Sequence, residues 1–294
     1  NLPEPWSRDR GWGNCSWIGN VYRNPENGHI LGFIHLEYNP PGGSRKVDYF
    51  RFGLAISKDG GKTFNWCGYI IEPDLSYETW FNHWYPKGLG GLYSCMGFAN
   101  YIIKDGYFYI YYMDTRDVAM PDTTIIQDLP NNGVAVARAK VEDVLKNAEL
   151  FKVSRWSKYY KGSWQEKGLG GKFTALNIKP KGFMHGDAAY NSYLDKYMLV
   201  TRTGKHVKPD GGAGKTSSVL ISFSSDGLHW SQWQAVHKDN HLHDYPAIMS
   251  RGANNEVTGK SFWVYYKYDY GAVLPQRSGR KKESRWDKVL VTFD

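Results

Sequence analysis

Apolar and aromatic residues fall in short runs along this chain, separated by clusters of Gly, Asn, Asp and Pro. Within the runs, apolar and polar positions alternate, or the whole run is apolar. Both patterns belong to β-strands whose faces are partly or wholly covered. Helical periodicity is nearly absent, and VEDVLKNAELF at 141–151 is the one short helix predicted. The runs also recur as a unit of up to four strands. The first unit reads 16–24, 30–38, 50–64 and 65–71, and the second 97–106, 107–115 and 133–139. The third reads 185–195, 196–203, 217–230 and 231–237, and the fourth 243–250, 261–269 and 287–293.

A small sheet of this kind cannot cover its own faces, and stacking copies around an axis solves that. The expected fold is therefore all-β: a β-propeller spanning residues 1–294 as one domain. Five blades are preferred over the four visible units, the extra strands coming from residues 1–13 or from upstream sequence. The string KGLGG at Lys87–Gly91 and again at Lys167–Gly171 supports internal repetition.

Composition sharpens the picture in two ways. The chain carries 12 Trp, 22 Tyr and 13 Phe among 294 residues. Such residues fill β cores, and they also stack on the apolar faces of sugar rings. Lys and Arg number 37 against 29 Asp and Glu, a net charge of +8. A field of that sign attracts polyanions. The basic residues are scattered apart from Arg277, Arg280, Lys281, Lys282 and Arg285, and no zinc-finger, RNP or recognition-helix pattern occurs. Nucleic acid is thus not expected as a partner, whereas an acidic or sulfated polysaccharide is. Cys15, Cys67 and Cys95 form no CxxC pair. No apolar run is long enough to span a membrane. The start at Asn1 rather than Met fits a secreted or periplasmic protein whose leader has been removed, and equally a chain given without its upstream residues; a secreted or periplasmic location is the expectation.

Two turns have a distinctive chemistry. Ser57-Lys-Asp59-Gly-Gly61-Lys-Thr63-Phe64 and Ser224-Ser-Asp226-Gly227-Leu-His-Trp230 each place an Asp where it can bond backbone N–H groups, and a Gly where φ turns positive. These segments resemble the Asp-box of sialidases, which implies a structural role for Asp59 and Asp226. Blade pattern and strand order along most of the chain also resemble the five-bladed propeller glycoside hydrolases of the arabinanase, β-xylosidase and fructosidase type. That resemblance implies a glycosidase. It also implies an acid at the start of the first inner strand, where this chain reads Gly13-Asn14-Cys15-Ser16-Trp17 and carries none.

In a propeller, starts of inner strands and ends of the following strands open on one face. The candidate catalytic carboxylates at those positions are Asp187, Glu37 and Asp244; glycoside hydrolysis needs two carboxyl groups flanking the bond. Glu37 shares a strand face with His35. The candidate substrate-binding residues are His35, Arg116, His185, Arg202, His243 and Tyr245, the arginines suiting a sulfate or carboxylate. His206 and His241 are weaker candidates. No cofactor is required, although His185, Asp187, His243 and Asp244 are residue types that would suit a structural Ca2+ or a transition ion. Two other functions fit. One is a polysaccharide lyase, with His185, His243 or Tyr245 abstracting a proton and Arg202 neutralising a uronate. The other is a non-catalytic carbohydrate-binding propeller.

Overall fold

The computed structural model describes residues 15–38, 47–74, 90–119, 125–126, 133–178, 185–202, 218–238, 242–252, 256–269 and 284–294. The architecture is mostly β and belongs to the β-propeller class. The chain divides into two compact units, Asn1–Ala175 and Leu176–Asp294.

The first unit opens with a meander of β1 (Cys15–Arg23), β2 (Ile30–Tyr38), β3 (Val47–Ser57) and β4 (Asn65–Ile71), each antiparallel to the last. A second meander follows: β5 (Gly90–Lys104), β6 (Tyr107–Ala119), the short β7 (Ile125–Ile126), β8 (Gly133–Lys140), β9 (Ser157–Tyr160) and β10 (Ser163–Lys167). The predicted helix is present as α1 (Val141–Glu149), which buries Val144 and Ala148. Parallel pairing of Val47–Phe50 with Gly91–Ser94 joins the two meanders into one ten-stranded sheet.

The second unit contains β11 (Asp187–Asn191), β12 (Lys196–Arg202), β13 (Ser218–Ser224) and β14 (Gln234–Lys238) as a third meander. A fourth is made by β15 (Leu242–Ser250), β17 (Ser261–Asp269) and β18 (Ser284–Thr292); the two-residue β16 (Val257–Thr258) pairs with β11. The described strands thus complete four blades and leave none over for the expected fifth. Residues 1–14, from which its strands were expected, lie outside the described residues.

Strands with two covered faces explain why runs such as ILGFIHLEY are apolar nearly throughout. On β2, Leu31 and Phe33 enter the main core with Phe52, Leu54, Phe108, Ile110, Trp156 and Phe173. Ile34 and Leu36 on the same strand join a second cluster with Ala55, Phe64, Trp66 and Tyr69. The fit there is tight: a Cβ on Gly53 would lie 2.0 Å from the Trp66 ring. The second unit has its own core of Met198, Val200, Val219, Ile221, Ile248, Phe262 and Val264.

Lys158 ties the first unit together. It is fully buried, and its ammonium donates to the carbonyls of Glu72 at 2.5 Å and Gly171 at 2.8 Å. Nearby, the Glu72 amide donates to the Gly168 carbonyl, so the second KGLGG string clasps the end of β4. Both aspartate turns close as expected. Asp59 accepts from Ser57 Oγ, Thr63 N and Thr63 Oγ1, and Asp226 from Ser224 Oγ, Leu228 N and His229 N. The Thr63 and Ser57 bonds hold the Asp59 carboxyl well below the usual carboxylate range.

Gly53→Ala should destabilise the protein by about 1–3 kcal/mol, because the added Cβ overlaps the Trp66 ring and forces it to shift against its cluster. The check is urea denaturation: a lowered midpoint with an unchanged slope. A midpoint equal to wild type would mean that Trp66 is not held where it stands.

Candidate functional site

In the second unit, β11 and β15 are the first strands of consecutive blades, and they lie side by side. Asp187 makes the junction: Oδ2 accepts from the Ile248 amide of β15 at 2.9 Å, and Oδ1 from the Ala188 amide at 2.8 Å. The carboxyl group is therefore fixed in orientation by two backbones.

Asp244, at the start of β15, gathers the other candidates. Its Oδ1 lies 2.7 Å from Arg202 Nε and 3.3 Å from His185 Nδ1, and accepts from the Tyr245 amide at 3.0 Å. Burial pushes the Asp244 carboxyl up, but the His185 hydrogen bond, the Arg202 charge and the Tyr245 amide outweigh it and hold the group below its ordinary range. The His185 ring stacks on Tyr245 with centroids 4.8 Å apart, and the Lys267 ammonium lies 6.0 Å from the same tyrosine ring. His185 and Tyr245 both have left-handed backbones, at φ 48° and 54°. That conformation costs a residue with a Cβ about 1–2 kcal/mol. Tyr245 lies where the β15–β17 register slips between Asp244 and Ala247, so a bulge directly follows the carboxylate that meets His185 and Arg202. Strain of this kind concentrates at functional sites.

In the first unit, His35 and Glu37 share a face of β2, as the alternation predicts, and His35 Nε2 meets Glu37 Oε1 at 3.1 Å. The His35 ring is buried between Phe50 and Phe52, while the Glu37 side chain keeps 25% exposure. Trp17 of β1 was not among the sequence candidates, yet it stacks on His35 at 5.6 Å and stays 44% exposed.

Other candidates stand apart. His243 is fully buried, edge-on to His237 at 4.8 Å and to Tyr266 at 5.0 Å, so in this conformation it packs against rings and offers no surface to a ligand. Arg116 lies in β6 opposite Tyr93, with its side chain outside the described residues. His206 and His241 lie outside them too. Among the described residues, no three His, Cys, Asp or Glu side chains converge as a metal site would require, although His185, Asp187 and Asp244 belong to one neighbourhood.

No protein-family model matches the sequence, and no curated protein does. Solved structures match in fold. Fructan 1-exohydrolase IIa from Cichorium intybus aligns over 98% of this chain and 43% of its own, with a TM-score of 0.50 and 16% identity. A glycoside hydrolase aligns over 95% of this chain and 70% of its own, with a TM-score of 0.50 and 11% identity. The α-L-arabinofuranosidase Arb93A from Fusarium graminearum aligns over 99% and 65%, with a TM-score of 0.47 and 14% identity. The fold shared with the fructan exohydrolase is the β-propeller. This chain spans less than half the length of the fructan exohydrolase it matches.

Arg202→Ala should cost about 2–4 kcal/mol at neutral pH, since it leaves a partly buried carboxylate without its cation. The pH dependence has a definite sign. A carboxyl held low in the folded state contributes stability that is present above the unfolded value of about 3.9 and is lost as pH falls through the lower folded value. In the variant, that acid-side loss should shrink. Urea unfolding of both proteins from neutral pH down to about pH 3 measures it, and parallel stability curves would contradict the ion pair.

Proposed function

We propose that this protein is a glycoside hydrolase acting on an anionic polysaccharide or oligosaccharide. The observation that carries the reading is the placement of Asp187 and Asp244 at the starts of neighbouring inner strands, each carboxyl fixed in orientation, with Arg202, His185 and Lys267 in the same neighbourhood. Two carboxyl groups in fixed relation are what glycosidic cleavage demands. The fold likeness to a fructan exohydrolase and to another glycoside hydrolase supports the reading.

The electrostatics divide the roles. Asp244 is held charged by its partners, so it suits the stabilisation of an oxocarbenium-like transition state and not the donation of a proton. The proton donor is then to be sought in Asp187, the other carboxyl group of the same unit. Arg202 and Lys267 are the cations placed to favour a uronate or sulfate. Secretion to the cell exterior or periplasm would bring the enzyme to such a polymer. The two aspartate turns act in this reading as Asp-boxes, remote from the chemistry.

One observation favours a lyase as the second reading. Asp244 grips His185 Nδ1, and an imidazole oriented in this way is a general base; Tyr245 and Arg202 stand beside it. A lyase leaves an unsaturated uronate that absorbs in the ultraviolet, whereas a hydrolase leaves a new reducing end without that absorbance.

The decisive experiment is a turnover screen on polygalacturonate, chondroitin sulfate, arabinan and inulin, with reducing ends and ultraviolet absorbance both recorded. Asp187→Asn and Asp244→Asn should each lower kcat at least a hundredfold with cooperative unfolding retained. Full activity in both aspartate variants would remove the hydrolase assignment.

A further inference from the structure

The first unit holds an arrangement that the proposed chemistry does not use. Trp17 lies directly opposite His35 across the antiparallel pairing of β1 and β2. The two rings are stacked, 5.6 Å apart and 27° from parallel. His35 itself cannot yield. It is 2% exposed, wedged against Phe50 at 5.5 Å and Phe52 at 5.7 Å, and tethered through Nε2 to Glu37. The indole therefore rests on a rigid base through one face and remains 44% exposed. A tryptophan carries some 150–250 Å² of apolar surface, so leaving nearly half of it in water forgoes a large hydrophobic gain.

The neighbouring position on this face is equally specific. Cys15 lies opposite Glu37 two pairs further along, so Glu37 follows His35 at the two-residue spacing of a strand, about 6.6–6.8 Å. Its carboxylate is one-quarter exposed. A flat apolar ring beside a fixed, partly open carboxylate matches the two surfaces of a sugar. The axial C–H groups of one face rest on the indole, and hydroxyls at the ring edge donate to the carboxylate. A backbone irregularity creates the arrangement. The β1–β2 register slips by one residue between Ile18 and Asn20, and without that slip Trp17 would oppose Leu36 and point to the other side of the sheet. Bulges that re-aim one side chain are recurrent beside binding sites.

From this geometry we infer that Trp17, His35 and Glu37 form a carbohydrate subsite, with Trp17 as the stacking platform, His35 as the residue that positions it, and Glu37 as the hydroxyl acceptor. The inference deepens the glycan-directed reading of the preceding subsection but needs no turnover. Its competitor is a protein contact, because Ile18 and Val21 of the same strand are also exposed, at 45% and 49%.

The experiment is affinity electrophoresis of the full chain through gels containing polygalacturonate, chondroitin sulfate, arabinan or inulin, with size-exclusion chromatography alongside. Wild type should be retarded by at least one polymer. Trp17→Ala should weaken that retardation tenfold or more, and Trp17→Phe, which keeps a ring, should restore most of it. Far-UV circular dichroism and the melting temperature of each variant check the fold. Retardation of Trp17→Ala equal to wild type would overturn the subsite, as would no retardation of wild type in any gel. A change in oligomeric state with sugar binding untouched would assign the strand to a protein contact instead. Retardation lost in Trp17→Ala, in a protein that turns over none of the four polymers, would leave the subsite standing and the hydrolase reading refuted.

Discussion

A four-stranded antiparallel meander with apolar residues on both faces cannot persist alone in water. Every larger feature of this protein answers that constraint. Phe33 and Ile34 are adjacent on β2 and enter different clusters, so the strand must be covered from both sides. Coverage of the Phe33 face comes from the next meander, through Phe108 and Ile110. The first strands of consecutive meanders then become neighbours. The Tyr101 hydroxyl of β5 bonds the Val21 carbonyl of β1, and Asp187 of β11 bonds the Ile248 amide of β15. Polar side chains at the starts of such strands are brought together as a by-product of burying apolar surface. The neighbourhood of Asp187, His185, Arg202 and Asp244 is a case of this.

The strand rhythm was readable because its cause is local. Alternation, turn residues and the Ser57–Phe64 and Ser224–Trp230 turns all act over a few residues, and each formed where the pattern put it. The β9–β10 hairpin was missed because SKYY and SWQEK read as polar; the buried Lys158 of β9 finds its partners at Glu72 and Gly171, 86 and 13 residues away. The five-blade preference rested on an expectation about missing strands, which nothing local in the sequence could check. Register was the deeper difficulty. A single slip near Gly19 moves Trp17 onto the His35 face, and another slip directly follows Asp244. Such slips follow from packing between strands, and no residue pattern announces them.

Candidate residues divided along the same line. Alternation alone paired His35 with Glu37, and the pairing is present at 3.1 Å. The grouping of His185, Tyr245, Arg202 and Asp244 followed from strand ends and is likewise present. His243 shows the limit of that rule. It precedes Asp244 and so faces the opposite way, into the stack of His237 and Tyr266, where an imidazole serves as a flat filler. Being at a strand start determines where a residue is, while its parity determines what it meets.

The clasp formed by Lys158 has a bearing on how the chain reaches this state. The first meander ends at Ile71, but the ammonium that caps the Glu72 carbonyl arrives 86 residues later. A ribosome adds about 5–20 residues each second, so several seconds separate the emergence of the two partners. Over that interval the exit of the first blade carries an unsealed carbonyl and an apolar flank. Nascent-chain quality control would meet the protein in that half-finished condition, and slow decoding between the two segments would prolong its exposure.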